Sequence, residues 1–334
     1  SYLDDINKSQ STNDVFPTAV KMAALRLLKI IEINCAELQK QLQQKESEYR
    51  EIITIARTEY QDAVFMTLGQ QFGAWAEAIS RDRWRIYKCF ERIRVINLGG
   101  TAIGTGLNAS QKYAYAVVNI LRDITGLNLV KAENLIDCTQ NCDAFVEISG
   151  ILKANAATLQ KICCDLRFLA SGPNAGIAEL KLKPLQKGST IMPAKVNPVS
   201  LENIIQATFL AYSLDSALTI AAANGHLQLN PMLPLIAYCI IKELKLLGQS
   251  NLMLAQTVAG ITPNRDIINK NVENSYGIFT ALVPFLGYSE VERLVNDFEN
   301  YRTKIKSATA FSFLQKQRIL SHSQLLKIKK NIIK

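Results

Sequence analysis

The chain has 334 residues, 48% of them hydrophobic and 20% charged, with 16 Gly and 9 Pro. That apolar content excludes a disordered chain, so little Gly and Pro excludes a collagenous or low-complexity one, and the length suffices for one large core or two or three modest domains. The formal charge of +9 sits at one end: residues 301–334 hold nine Lys and Arg and no acid, leaving 29 bases against 29 acids in residues 1–300.

A neutral body with a basic tail presents no nucleic-acid surface. The tail reads as a solvated terminus, with contact to an acidic partner or a membrane face as the alternative. The longest stretch without Lys, Arg, Asp or Glu, residues 216–241, is interrupted by Asn224-Gly225, Asn230-Pro231 and Pro234. No transmembrane helix is therefore expected, since a span needs about 20 continuous apolar residues, and no signal peptide opens the chain. Seven cysteines lack regular spacing, and Cys35, Cys163 and Cys239 fall in apolar helical patterns. This predicts free thiols in a reducing cytoplasm.

In chain order, a polar segment Ser9–Asp14 comes first. From Val20 the apolar residues Ala24, Leu27, Ile31, Cys35, Leu38 and Leu42 recur at steps of three and four, predicting a long helix that Asp14 and Pro17 start. A second polar segment, Arg57–Asp62, precedes another helical pattern over about Thr67 to Ile96. Further helices are expected over 147–170, 198–223 and 231–258, each about 25 residues, twice the mean helix length. Strand alternation is scarce. The stretch 204–223 is apolar nearly all round, so it is expected to be buried on every side, which a bundle shared between subunits achieves. A third polar segment, Gly188–Pro198, runs into that helix. After Gly260-Ile261-Thr262-Pro263 the pattern shortens. The expected organisation is all-α: a long-helix bundle domain over 1–262 and a small helical C-terminal domain with a basic tail over 263–334.

Helix N-termini offer unpaired N–H groups and the positive end of the dipole, so these Ser-, Thr- and Asn-rich segments, with Lys195 among them, suit an anionic ligand. The plainer reading makes Thr12, Asp14 and Asn197 N-caps. The third segment, Gly188-Ser189-Thr190-Ile191-Met192-Pro193-Ala194-Lys195-Val196-Asn197-Pro198, resembles the signature loop of the aspartase/fumarase superfamily. Ser9–Asp14 with Val15-Phe16-Pro17-Thr18 is similar to its substrate-binding segment, and Arg57–Gln70 to its Thr-His-x-Gln-Asp-Ala stretch. Gly99–Gly106, Ser171-Gly172-Pro173 and Gly225–Asn230 fit as well, in the same order and over almost the whole chain.

The resemblance implies a homotetramer whose long helices form a twenty-helix core, with each active site built from three subunits. Thr12, where fumarases usually have a second Ser, and Pro193–Val199 lean toward the aspartase branch. The implied reaction is reversible elimination of ammonia from L-aspartate to give fumarate, with no cofactor required. By resemblance Ser189 is the general base. Ser11, Thr12 and Thr190 hold the β-carboxylate; Thr58, Lys195 and Asn197 hold the α-carboxylate; Asn13 and Glu59 face the amino group.

Three departures stand out. Glu59 replaces a His or Gln, which suits an ammonium better than a hydroxyl, yet Glu202 occupies the place whose carboxylate pairs with that His in fumarases. Two carboxylates brought close share a proton or repel. Ala56 and Phe65 replace a usual Gly and Pro, a local packing change. Ser1 falls inside what resembles a His-Pro-Asn-Asp-x-x-Asn-x-Ser-Gln segment, so the family's N-terminal domain, with its carboxylate-binding turn, is expected to be missing from this chain.

Alternatives remain open: fumarate hydration, a lyase of another amine substrate, or a shortened chain that assembles without turnover. Gly104-Thr105-Gly106-Leu107-Asn108-Ala109 fits a loose dinucleotide fingerprint without the alternating strands and helices it requires. Cys138, Cys142 and Cys163-Cys164 lack the paired spacing of a zinc site. His226 and His322 are the only histidines, too few and too far apart in sequence to favour a Ser-His-Asp hydrolase.

Overall fold

The computed structural model describes residues 1–317 and 319, apart from Lys187, Ser189, Thr190, Pro193 and Ala194. The helices are α1 (Thr12–Glu48), α2 (Leu68–Ile93), α3 (Gln111–Thr125), α4 (Leu135–Gln140), α5 (Asp143–Leu169), α6 (Val199–Ala223) and α7 (Leu233–Ala259). Shorter ones follow: α8 (Arg265–Asn274), α9 (Gly277–Thr280), α10 (Val283–Leu286), α11 (Tyr288–Lys304) and α12 (Ala310–Lys316). Strands β1 (Ile53–Thr58) and β2 (Gln61–Thr67) form an antiparallel hairpin, β3 (Val95–Ile96) pairs in parallel with β4 (Val130–Lys131), and β5 (Leu180–Lys181) pairs antiparallel with β6 (Thr262–Pro263). Two compact units result: Ser1–Gln39, Glu77–Asp165 and Leu185–Thr257 in the first; Lys40–Ala76, Leu166–Pro184 and the chain from Val258 in the second.

Helix α1 follows the predicted stripe with one correction. Ala24, Leu28, Ile31, Cys35, Leu38 and Leu42 are fully buried, whereas Leu27 is half-buried beside them. The predicted start was late: α1 begins at Thr12 and Pro17 lies inside it. A proline has no N–H to give the carbonyl one turn back. That carbonyl, on Asn13, instead accepts from Asn97 Nδ2 at 3.0 Å, so the helix passes through Pro17 without an orphaned acceptor.

Helix α6 is not buried all round within this chain. Ser200, Leu201, Ile204, Ile205, Thr208, Ala211, Leu214, Asp215, Leu218 and Ala221 form one buried stripe. Phe209, Leu210 and Ile220 on the other side are 52%, 43% and 66% exposed. Among the described residues α6 alone is long and apolar enough to cross a membrane, and 44% of its most apolar window is buried. Its buried residues recur at helical spacing, the pattern of a helix packed on others.

Polar side chains run through the first unit and lock its helices in register. Asp82 of α2 accepts from Asn155 of α5, whose Oδ1 accepts from Asn251 of α7, whose Oδ1 in turn accepts from Cys35 of α1. A second network joins α5, α6 and α7. Ser149 Oγ lies 3.0 Å from Asp215 Oδ1 and 2.8 Å from Glu243 Oε2, while Lys153 Nζ donates to Asp215 Oδ2 at 2.7 Å.

One hydroxyl proton cannot serve two carboxylate acceptors at once. Burial pushes the Glu243 carboxyl up to about 8, with Asp215 adding to the shift against the pull of Ser149 and Lys153. Neutral Glu243 therefore donates to Ser149 Oγ, and Ser149 donates to Asp215.

The second unit surrounds the β1–β2 hairpin. Ile278, Phe279, Leu282, Val291, Leu294, Phe298, Ala310, Phe313 and Leu314 form its aromatic-rich core, with Phe65 packed against it. The ring of Phe65 lies 6.3 Å from that of Phe311, which explains a large apolar residue at this point of β2. The scarcity of strands expected from the sequence missed this hairpin, because its alternation is broken between Ile55 and Arg57, where the register shifts.

A raised carboxyl pKa gives stability that is fully present below the unfolded value and is lost as pH rises through the folded one. The urea midpoint of the chain should accordingly fall as pH rises from about 4.5, the ordinary carboxyl value, to the Glu243 value of about 8, and level off above it. Glu243→Gln should flatten that slope, and an equal slope in the variant would place the titrating group elsewhere.

Candidate active site

The first polar segment is built around a buried carboxylate. Asp14 is 0% exposed. Its Oδ1 accepts from Ser11 N–H at 2.9 Å, and its Oδ2 accepts from Gly99 N–H at 3.1 Å and Thr101 N–H at 3.0 Å. Ser11 precedes the helix and its Oγ accepts from Asn13 N–H at 3.2 Å. Ser11 and Asp14, rather than Thr12, thus cap α1 reciprocally. Thr12 is the first helical residue and is exposed. Asn13 is half-buried, and its Nδ2 donates to Ala102 O at 2.7 Å. The structure therefore brings Ser11, Asn13 and the Gly99–Gly106 loop together.

That loop follows β3 and precedes α3, which Ser110 caps by accepting from Tyr113 N–H. A two-residue parallel ladder with an intervening helix is a trace of the context a dinucleotide fingerprint needs. The fingerprint's own N–H groups are already spent, however: Gly104 and Gly106 donate to Gly100 O, and Ala109 donates to Gly106 O. Gly104 has φ +94°, and a Cβ there would lie 2.4 Å from Ile136 N, so this glycine serves close packing and not phosphate approach.

The second segment is the tip of the β1–β2 hairpin, not part of a helix start. Thr58 and Gln61 pair across it, and Glu59 and Tyr60 have φ +51° and +63°. A two-residue turn with both central residues left-handed matches the twist of its strands and normally takes Asn-Gly; a non-glycine residue held there costs about 1–3 kcal/mol. Thr58, Glu59 and Tyr60 are exposed, and the Tyr60 ring meets that of Phe168 edge-on at 5.1 Å. Below the turn Arg57 makes a bidentate pair with Glu179. These hydrogen bonds raise the Arg57 pKa above its usual value against the opposing effect of burial. A cleft of about 380 Å³ is bordered by Arg57, Tyr60 and Asp62 on the hairpin and by Lys270, Asn271 and Asn274 of α8.

In the third segment Ser189 and Thr190 lie outside the described residues. Lys195 is exposed and Asn197 half-buried. The cap position of α6 belongs to Pro198, with no side-chain capping bond, so Asn197 is not the N-cap of the plainer reading. Glu202 lies in the first turn of α6. Thr58 and Glu59 belong to the second compact unit, and Ser11–Asn13, Lys195, Asn197 and Glu202 to the first.

Glu179 was not legible as a site residue from sequence. Its one signal is an acid in the apolar run Ala175–Leu180. Burial pushes the Cys142 thiol up to about 11, away from the thiolate that a metal takes, and among the described residues no three His, Cys, Asp or Glu side chains gather where they could hold a metal ion. His226 is exposed in a turn where its N–H donates to Leu229 O.

Residues 2–211 match the model of a family described as lyase. The chain belongs to this family, the aspartase/fumarase superfamily. It is 42% identical over 288 residues to the aspartate ammonia-lyase of Helicobacter pylori (strain 26695), covering 86% of this chain and 62% of that protein. The Bacillus subtilis aspartate ammonia-lyase is 40% identical over 293 residues, 87% of this chain and 62% of its own length. Among solved structures, a cobalt-bound fumarate lyase:delta crystallin of Brucella melitensis aligns with a TM-score of 0.90 at 38% identity, covering 98% of this chain and 70% of that one. The class II fumarase of Schistosoma mansoni aligns at 0.87 and 29% identity, covering 98% and 71%. The chain thus spans about three-fifths of the length of these curated relatives.

Asp14→Ala removes the acceptor of three backbone N–H groups at a site closed to water. The loss should cost about 3 kcal/mol or more in urea unfolding at pH 7. A change under about 1 kcal/mol, within the range of an ordinary surface substitution, would show the loop held by other contacts.

Proposed function

We propose that this lyase eliminates ammonia from L-aspartate to give fumarate, as part of a homotetramer in the cytoplasm with each active site shared by three subunits. The carrying observation is the 40–44% identity to aspartate ammonia-lyases over most of the chain. The exposed apolar side of α6 supports the assembly, since Phe209, Leu210 and Ile220 form a face that a neighbouring helix would cover. The aromatic core of α9, α11 and α12 supports reading residues 263–334 as a small C-terminal domain.

The chemical difficulty is removal of the proton next to the β-carboxylate, which places a second negative charge on that group. Donors fixed in advance lower this barrier, each worth about 3–4 kcal/mol. In the proposed mechanism Ser189 Oγ takes the Cβ proton, and Ser11, Thr12 and Thr190 donate to the enediolate that forms. The electron pair then returns, the Cα–N bond breaks, and ammonia leaves with that bond's electrons. Thr58, Lys195 and Asn197 hold the α-carboxylate through both steps, while Asn13 and Glu59 orient the amino group. A serine hydroxyl is too weak an acid to ionise unaided, so loop N–H groups and the Lys195 cation must stabilise its anion.

Glu59 supports an amine substrate over malate, because a carboxylate pairs more strongly with an ammonium than with a hydroxyl. A hydratase is the second reading, supported by the fumarase-like fold at a TM-score of 0.87.

Absorbance of fumarate formed from L-aspartate, run beside L-malate on the same preparation, decides between these. Fumarate from aspartate alone is expected, together with a particle of four 37.2 kDa chains. Ser189→Ala should then lower kcat by about a hundred- to ten-thousand-fold. Turnover of malate alone would replace this reading with the hydratase, and a tetramer inert to both would leave only the assembly.

A further inference from the structure

Glu179 of the second unit is fully engaged. Its Oε1 accepts from Arg57 Nη2 at 2.6 Å and Asn271 Nδ2 at 2.8 Å; its Oε2 accepts from Arg57 Nη1 at 3.0 Å and Thr54 Oγ1 at 3.3 Å. The Glu179 side chain is 2% exposed and that of Arg57 11%. A buried pair of this kind adds little net stability over apolar packing, so its distinctive contribution is geometric: a rigid planar fork that admits one orientation.

The fork sits next to the turn. Thr54 and Arg57 reach the same carboxylate although regular alternation puts residues three apart on opposite faces of a strand. The register shift between Ile55 and Arg57 adds the twist that allows this, with Ala56 facing both Ala63 and Val64. Across the neck of the hairpin Arg57 Nε lies 3.6 Å from Asp62 Oδ1. Both legs of the turn are therefore tied to one guanidinium, and above it Glu59 and Tyr60 hold positive φ with no glycine to ease it.

We propose that Arg57 is a positioning residue: by gripping Glu179 and Asp62 it holds the Thr58–Gln61 turn in the form that offers Thr58 and Glu59 to a dicarboxylate amino acid. This rests on the lyase reading for the ligand, but not for the turn. Lysine keeps the charge and loses the fork, so it does not replace Arg57.

The test uses the full 334-residue chain and its Arg57→Lys variant, with two readouts. Amide hydrogen exchange over Thr58–Asp62 should quicken about tenfold or more, with peptides from α5 and α7 unchanged. In the fumarate assay KM for L-aspartate should rise about tenfold while kcat stays within about threefold, the signature of weakened binding. Adding Tyr60→Gly, which relaxes the left-handed turn, should recover part of the lost KM.

Unchanged exchange in the turn overturns the proposal. So does a purely structural outcome, in which Tm falls, exchange quickens throughout β1, β2 and α8, and kcat drops with KM unaltered. If the unmutated chain releases no fumarate from aspartate, the lyase reading falls, and the exchange result alone decides whether Arg57 holds the turn.

Discussion

A carboxylate buried without solvent must have its lone pairs met by donors, and Asp14 meets this demand with the backbone. Ser11, Gly99 and Thr101 each give it an N–H, so the start of α1 and the glycine-rich loop cannot move independently. Much of the first unit's detail follows from that constraint. The loop must turn tightly enough to point two N–H groups inward, which places Ala102 O against Asn13. Asn97, just ahead of the loop, then reaches the Asn13 carbonyl that Pro17 leaves free. An internal anion has taken the place that a ligand's phosphate holds in superficially similar glycine loops.

The two polar segments that the structure describes in full are shaped by different physics. The Ser11–Asp14 segment is rigid because capping and burial coincide there. The Thr58–Gln61 turn takes its form against local preference, since neither Glu59 nor Tyr60 favours the positive φ that it holds. Its conformation is imposed from below by the fork of Arg57 on a saturated Glu179. Strain held in place by surrounding contacts is a recurrent property of residues that must meet a ligand in one orientation.

The long helices were legible because burial repeats at the helical period, and five of the six stripe positions read from α1 are fully buried. Leu27 misled because it and Leu28 are adjacent leucines, and only helix phase separates them. The start at Thr12 was missed because Pro17 looks like a first-turn proline, while the compensating donor, Asn97, is far away in sequence. The hairpin was hidden by its register shift, and Glu179 by having partners drawn from β1 and α8. The motif segments could be read at once from their residue types; which polar groups they leave open could not, since Asp14 spends its acceptors on the loop's N–H groups and Asn13 its Nδ2 donor on Ala102 O. Helix α6 shows the converse limit. Its composition told that it is apolar on nearly every side, and the chain by itself covers only a single stripe of it.

In the proposed assembly that half-covered helix would tie the thermodynamics of the chain to its amount. With Phe209, Leu210 and Ile220 facing outward, any surface that shelters them binds the folded chain and not the unfolded one, and so raises stability by mass action. Where that surface is another copy of the chain, as in the proposed assembly, dilution acts as a denaturant does, and two preparations identical in sequence, buffer and temperature melt differently when one holds more protein than the other.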